Sequence, residues 1–172
     1  MKGLIKVGLL GLAIGCMNGS YATSNESGGQ LQQASGNKMV SAVSGSRSLH
    51  FDPKKHRWYA IQNGKVVRSG VASGGASYCK DVGRSCRTPK GTFTVIGKGG
   101  PGCKSSRYPL GGGGAPMPHC VYFHKFYAVH GSPDVPAKRH ASHGCVRVYP
   151  SDARWLNREF LRVGDTVRVS SY

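Results

Sequence analysis

Asn63-Gly64 lies between two short apolar runs, Arg57-Trp58-Tyr59-Ala60-Ile61-Gln62 and Lys65-Val66-Val67-Arg68. A two-residue connection must match the twist of the strands it joins, which requires positive φ, and Asn-Gly accepts that conformation readily. The stretch therefore reads as a β-hairpin, and the chain around it follows the same pattern. Thr92-Phe93-Thr94-Val95-Ile96 alternates with period two, as a half-buried strand should. Residues Val121 to Phe123 and Phe126 to His130 read as a second hairpin that delivers His130 at a strand end. Pro150 to Leu161 is the one helical stretch, with Ser151 as its expected cap and Trp155, Leu156 and Phe160 as its buried stripe. Val163 to Val169 turns and closes with a strand. Glycine (26 residues) and proline (9) favour short strands and many turns, while a hydrophobic content of 38% suffices for a core. The expectation is one mainly β domain with a short helix near the C-terminus.

The domain is expected to occupy residues 49–172. Ahead of it, Met1 to Ala22 reads as a signal peptide: Lys2 and Lys6 are basic, Val7 to Met17 is apolar but too short for a permanent membrane span, and Ser20-Tyr21-Ala22 offers small residues for cleavage. Cys16 also sits in a stretch like a lipoprotein box; a cleaved soluble product is the preferred reading and a lipid anchor the alternative. Residues 23–48 are rich in Ser, Gly and Gln and read as a flexible linker. The Gly-rich span Lys98 to His119 is long for a loop, which suits either a floppy insertion or a substrate-side lid.

The chemistry concentrates in His130-Gly131-Ser132 and Ser142-His143-Gly144-Cys145-Val146-Arg147. A free thiol is only a few per cent thiolate at neutral pH, and a neighbouring imidazole removes that limit by taking the proton. Gly144 lets the backbone bend before Cys145, so that consecutive N–H groups can face an oxyanion. On a strand, Arg147 projects to the same side as Cys145 and suits a carboxylate. Its structural alternative is an internal salt bridge, for which Asp152 and Glu159 are the near candidates in sequence. Two other readings compete for the cluster, a metal site built from two histidines and a cysteine or an inert buried cysteine. A metal would need a fourth ligand, and no metal or cofactor is expected.

Ala128-Val129-His130-Gly131-Ser132 followed by Ser142-His143-Gly144-Cys145-Val146-Arg147 resembles the signature of the L,D-transpeptidase catalytic domain of the YkuD type. Thr88-Pro89-Lys90-Gly91-Thr92-Phe93 resembles the family's T-P-x-G-x-F segment, and the likeness runs from about Leu49 to Val169. The resemblance implies a β-sandwich-like catalytic fold and a bacterial cell-wall enzyme that cross-links peptidoglycan. It also implies that Cys145 is the nucleophile and His130 the base, its ring oriented by the carbonyl of Gly131. Ser142, His143 and Gly144 would then shape the oxyanion site, and Arg147 would bind substrate. The implied reaction takes a stem peptide through a Cys145 thioester with loss of the terminal D-alanine and transfer to an amine. An L,D-carboxypeptidase using water, a sortase-like transpeptidase and a non-catalytic basic envelope-binding or adhesion module are the alternatives.

Without Cys16, five cysteines remain, an odd number that suggests pairs plus one free thiol. Cys145 is the natural free one, because a nucleophile must stay reduced. Cys79, Cys86, Cys103 and Cys120 allow three pairings, with local closure favouring Cys79–Cys86 and Cys103–Cys120. Disulfides and a signal peptide point to export, into a bacterial periplasm or cell wall. The net charge is +17; removing Lys2 and Lys6 takes 24 basic residues to 22 against 7 acidic, or +15. Such a surface attracts polyanions. No recognition helix or nucleotide-stacking platform is visible, which argues against nucleic acid. The expected partners are peptidoglycan stem peptides, with anionic envelope polymers or an envelope protein acceptor beside them.

Overall fold

A computed structural model of the chain describes residues 45–172. The expected signal peptide, Cys16 and the linker through residue 44 lie outside the described residues. In chain order the strands are β1 (Arg47–Asp52), β2 (Arg57–Gln62), β3 (Lys65–Val71), β4 (Gly91–Thr94), β5 (Gly97–Lys98), β6 (Val121–His124), β7 (Tyr127–Gly131), β8 (Val146–Val148) and β9 (Thr166–Val169). Helix α1 (Pro150–Trp155) precedes β9 and runs on into a π-helical turn, Leu156–Phe160. Strand β1 already holds Arg47 and Ser48, two residues that composition alone had put in the linker.

The Asn63-Gly64 hairpin forms as expected: both residues have positive φ and β2 pairs antiparallel with β3. With β1, β9 and β4 they make a five-stranded sheet in the order β3-β2-β1-β9-β4. The second sheet has the order β5-β6-β7-β8. Period-two burial tells which face of each strand meets the core. Leu49 and Phe51, Trp58 and Ala60, and Val167 and Val169 come from the first sheet. Val121 and Phe123, Val129, and Val146 and Val148 come from the second. All belong to one apolar cluster, with Ala153, Leu156, Phe160 and Leu161 of the helical segment.

The helix begins differently from the sequence expectation. Tyr149 occupies the cap position with no side-chain cap bond, and Pro150 opens the first turn. Proline has no N–H to satisfy there and its φ is already helical, so Ser151 is not needed as a cap. Of the expected stripe, Leu156 and Phe160 are buried, while Trp155 packs only partly against the core. Leu161 N–H reaches back five residues to the Leu156 carbonyl (2.8 Å), which widens the last turn. Among the described residues no helix is long and apolar enough to cross a membrane.

Sheet two carries function on its other face. Strand β7 pairs antiparallel with β6 (Tyr122 opposite Ala128) and parallel with β8 (His130 opposite Arg147). Alternation then puts Tyr122, Ala128, His130 and Arg147 on the face away from the main core. There a second, smaller cluster of Met117, Cys120 and Ala128 packs with Cys103, Tyr122 and Cys145. Because both faces are covered, β7 loses alternation and is buried from Ala128 to Gly131.

Candidate active site

Parallel pairing of β7 and β8 brings the two sequence segments together. Cys145 immediately precedes β8, and Arg147 shares its side of the strand, the side that His130 occupies on β7. Cys145, His130, Arg147, Ser142 and His143 all line one cavity of about 380 Å³. The opposite wall comes from the long loop, through Ser105, Arg107, Tyr108 and Met117. That loop is internally bonded rather than floppy. Ser105 N–H donates to Ala115 O (2.8 Å) and Met117 N–H to Cys103 O (2.8 Å). Two ring contacts fasten it across the cavity mouth: Arg107 lies over Phe126 at 4.7 Å, and Tyr108 stacks on His143 at 4.3 Å.

His130 is 5% exposed and its Nδ1 is 2.9 Å from the carbonyl oxygen of Gly131. A carbonyl only accepts, so Nδ1 carries the proton and Nε2 keeps the free lone pair. Burial lowers the His130 pKa to about 4; the Gly131 carbonyl pulls it up and the Arg147 charge pushes it down, but burial dominates. The Cys145 thiol is raised by burial, against the lowering effects of the Ala128 backbone and Arg147. Burial thus favours the neutral form of both thiol and imidazole. The resting thiol donates to Phe126 O at 3.8 Å.

The turn before Cys145 is locked by Ser142. Its hydroxyl donates to Cys145 O (2.5 Å) and accepts from Gly144 N–H (3.0 Å). The Gly144 amide is therefore engaged within the turn in this structure. Gly144 has φ +123°, and a Cβ there would run into the Tyr127 ring. Only glycine fits on both counts. The His143 ring, which also lines the cavity, gives Nε2–H to both carboxylate oxygens of Asp81 (2.8 and 3.0 Å), and this bond lowers the Asp81 pKa. Asp81 lies within the loop closed by the Cys79–Cys86 disulfide; the second disulfide joins Cys103 to Cys120, and Cys145 is free. Cys79, Asp81 and His143 do gather within 4.8 Å, but Cys79 is spent in the disulfide and offers no thiolate to a metal.

Arg147 has an intramolecular partner that sequence proximity did not suggest. Nη1 donates to Asp134 at 2.9 Å, and Arg139 approaches the same carboxylate at 3.8 Å. Asp152, the near candidate in sequence, instead binds Arg68 at 2.7 Å on the far side of the helix start. Asp81 and Asp134 went unnoticed because neither sits in a motif. Asp134 had one clue, its place between the two histidine segments; Asp81 had none beyond lying between two cysteines.

The sequence profile described as the L,D-transpeptidase catalytic domain matches residues 46–169. The chain belongs to the L,D-transpeptidase family. Among solved structures, the L,D-transpeptidase of Xylanimonas cellulosilytica is 33% identical, covers 75% of this chain and 62% of its own, and superposes with a TM-score of 0.64. The L,D-transpeptidase of Mycobacterium smegmatis is 25% identical, covering 74% and 59% at a TM-score of 0.60. One from Stackebrandtia nassauensis shares the fold at 24% identity, covering 81% and 62% at a TM-score of 0.60. The chain thus spans about three-fifths of the length of those chains. No curated protein matches it. The mainly β fold with one short helix is the family's, as the sequence had implied.

Proposed function

We propose that the chain is a cysteine acyl-transferase that acts on peptidoglycan stem peptides in cell-wall cross-linking or remodelling. The observation that carries this reading is the β7–β8 pairing, which sets His130 and Cys145 on one side of the sheet with the His130 tautomer fixed by Gly131. In the proposed mechanism Cys145 attacks the carbonyl that precedes the terminal D-alanine while His130 Nε2 takes the thiol proton. A base that is neutral until attack begins suits this step, since the same imidazole then protonates the departing amine. With the Gly144 amide engaged, the amides of His143 and Cys145 are the donors for the oxyanion. Arg147, released from Asp134, grips the substrate carboxylate. An amine from a second stem, or from an envelope protein, then resolves the thioester.

The domain organisation proposed with this function is a signal peptide at 1–22, then a linker, then the catalytic domain, expected at 49–172 and drawn back to Arg47 by strand β1. Export to the periplasm or cell wall is supported by the two disulfides. Water as the acceptor would make the protein an L,D-carboxypeptidase through the same thioester; product analysis with and without an added amine separates the two.

A carbapenem offers a strained amide carbonyl to the thiol and reports directly on the nucleophile. Intact mass after incubation should increase by one drug molecule per chain, located on Cys145 by peptide mapping. Cys145→Ala should lose both the adduct and muropeptide turnover with an unchanged circular dichroism spectrum. Turnover persisting in that variant would falsify the assignment.

A further inference from the structure

The site holds two histidines with opposite nitrogens free. His130 gives Nδ1–H to the Gly131 carbonyl and keeps the Nε2 lone pair. His143 gives Nε2–H to Asp81, so that in the neutral ring Nδ1 carries the lone pair, on a ring that lines the same cavity two residues from Cys145. A carboxylate fixing a histidine tautomer in this way is how a general base is oriented. The acid–base work proposed above employs only the first of these rings.

Proton counting says what the second is for. An amine acceptor of lysine-like basicity, pKa about 10, arrives as an ammonium. Its nitrogen forms a bond to the acyl carbon as the bond from carbon to Cys145 sulfur breaks, and the nitrogen sheds two protons on the way from ammonium to amide. One proton returns to sulfur through His130, restoring the thiol. The other needs a separate exit. We infer that His143, oriented by Asp81, is the base that takes this first proton from the acceptor ammonium, with Asp81 as its positioning residue. The inference rests on the acyl-transfer reading above.

The surroundings fit the task. His143 is one-third exposed and Asp81 nearly half exposed, so a proton received at Nδ1 has a path to solvent. His130 is only 5% exposed. Among the described residues the Asp81 carboxylate bonds to no side chain other than His143. Arg84, Arg107 and Arg147 line the cavity, and Tyr108 covers one face of the His143 ring.

The test separates the two half-reactions in Asp81→Asn. A synthetic tetrapeptide stem is the donor. Acylation is followed by D-alanine release and intact mass, and aminolysis by decay of the acyl-enzyme with primary amines. The amines run from lysine-like basicity to ones weak enough to be neutral at pH 7. The ratio of aminolysis to acylation should fall about tenfold or more with basic amines, within the usual range for general-base catalysis. The deficit should shrink as amine basicity falls, and Asp81→Glu should restore part of the ratio. Equal losses in both half-reactions, or a deficit independent of amine basicity, would overturn the inference and leave Asp81 as a brace for its loop. If the unsubstituted protein forms no acyl-enzyme at all, the acyl-transfer reading falls and this one falls with it.

Discussion

Arg147 and Asp134 form a pair that is open to water, with side chains 24% and 56% exposed. Exposed ion pairs are worth about 0–1 kcal/mol, so Arg147→Ala should shift the melting temperature little. A charged hydrogen bond to a substrate carboxylate is worth more, on the order of 1.5–3 kcal/mol, which is about ten- to a hundredfold in kcat/KM. The expected outcome is a large loss of kcat/KM on a tetrapeptide stem beside a near-normal melting temperature. The reverse pattern would assign Arg147 to structure. At this scale the sequence was informative about which side chains share the cavity and silent about their partners. Cys145, His130, Gly144 and Arg147 stand in two short segments because one strand pair must present them together. Asp81 and Asp134 reach the site through loop paths that no local pattern encodes, so their pairing with His143 and Arg147 emerges only from the fold.

Elements brace the cavity from two sides, and the disulfides decide how firmly. Cys103–Cys120 closes the base of the long loop over 17 residues of sequence. Loop-closure entropy makes such a bridge worth about 3 kcal/mol through restriction of the unfolded chain. Replacing both cysteines with serine should lower the unfolding free energy by roughly that amount, measured by urea titration. It should also speed thiol labelling of Cys145, since the wall carrying Arg107 and Tyr108 is then loosely held. An unchanged labelling rate would mean that the ring contacts to Phe126 and His143 suffice alone. Strands were legible because alternation and the Asn63-Gly64 turn are local signals. The cavity wall was not, because Lys98 to His119 is ordered by bonds within the loop and one crosslink, and its glycines say only that it bends. The helix start was misread for a related reason: Ser151 is a good cap by type, but Pro150 had already set the first turn.

At the scale of the described domain, the acid response is carried by a buried and a half-buried histidine, both held neutral. His130 is lowered to about 4 by burial. His140 is also lowered to about 4, first by burial and then by the charge of His56, on which it stacks at 4.1 Å. Its Nδ1 accepts the Gly74 N–H at 3.0 Å, a bond that protonation at this nitrogen removes. Unfolded histidines bind protons near pH 6.5, whereas these two resist until about 4. Their stabilising contribution is therefore complete above pH 6.5 and is lost as pH falls toward 4. For His130 alone the loss is on the order of 3 kcal/mol. Melting temperature should be level above pH 7 and decline across that window, and His140→Gln should flatten part of the decline. A curve with no slope between pH 6.5 and 4 would contradict the burial argument. The second apolar cluster adds a consequence of a different kind, because it packs Cys145 in company with Cys103 and Cys120. A thiolate there would be a standing threat to the neighbouring crosslink by exchange, and to itself by oxidation to sulfenic acid. Burial favours the protonated sulfur, and the thiol, unlike the thiolate, does not attack a disulfide, so the packing that crowds Cys145 against the crosslink also protects that crosslink.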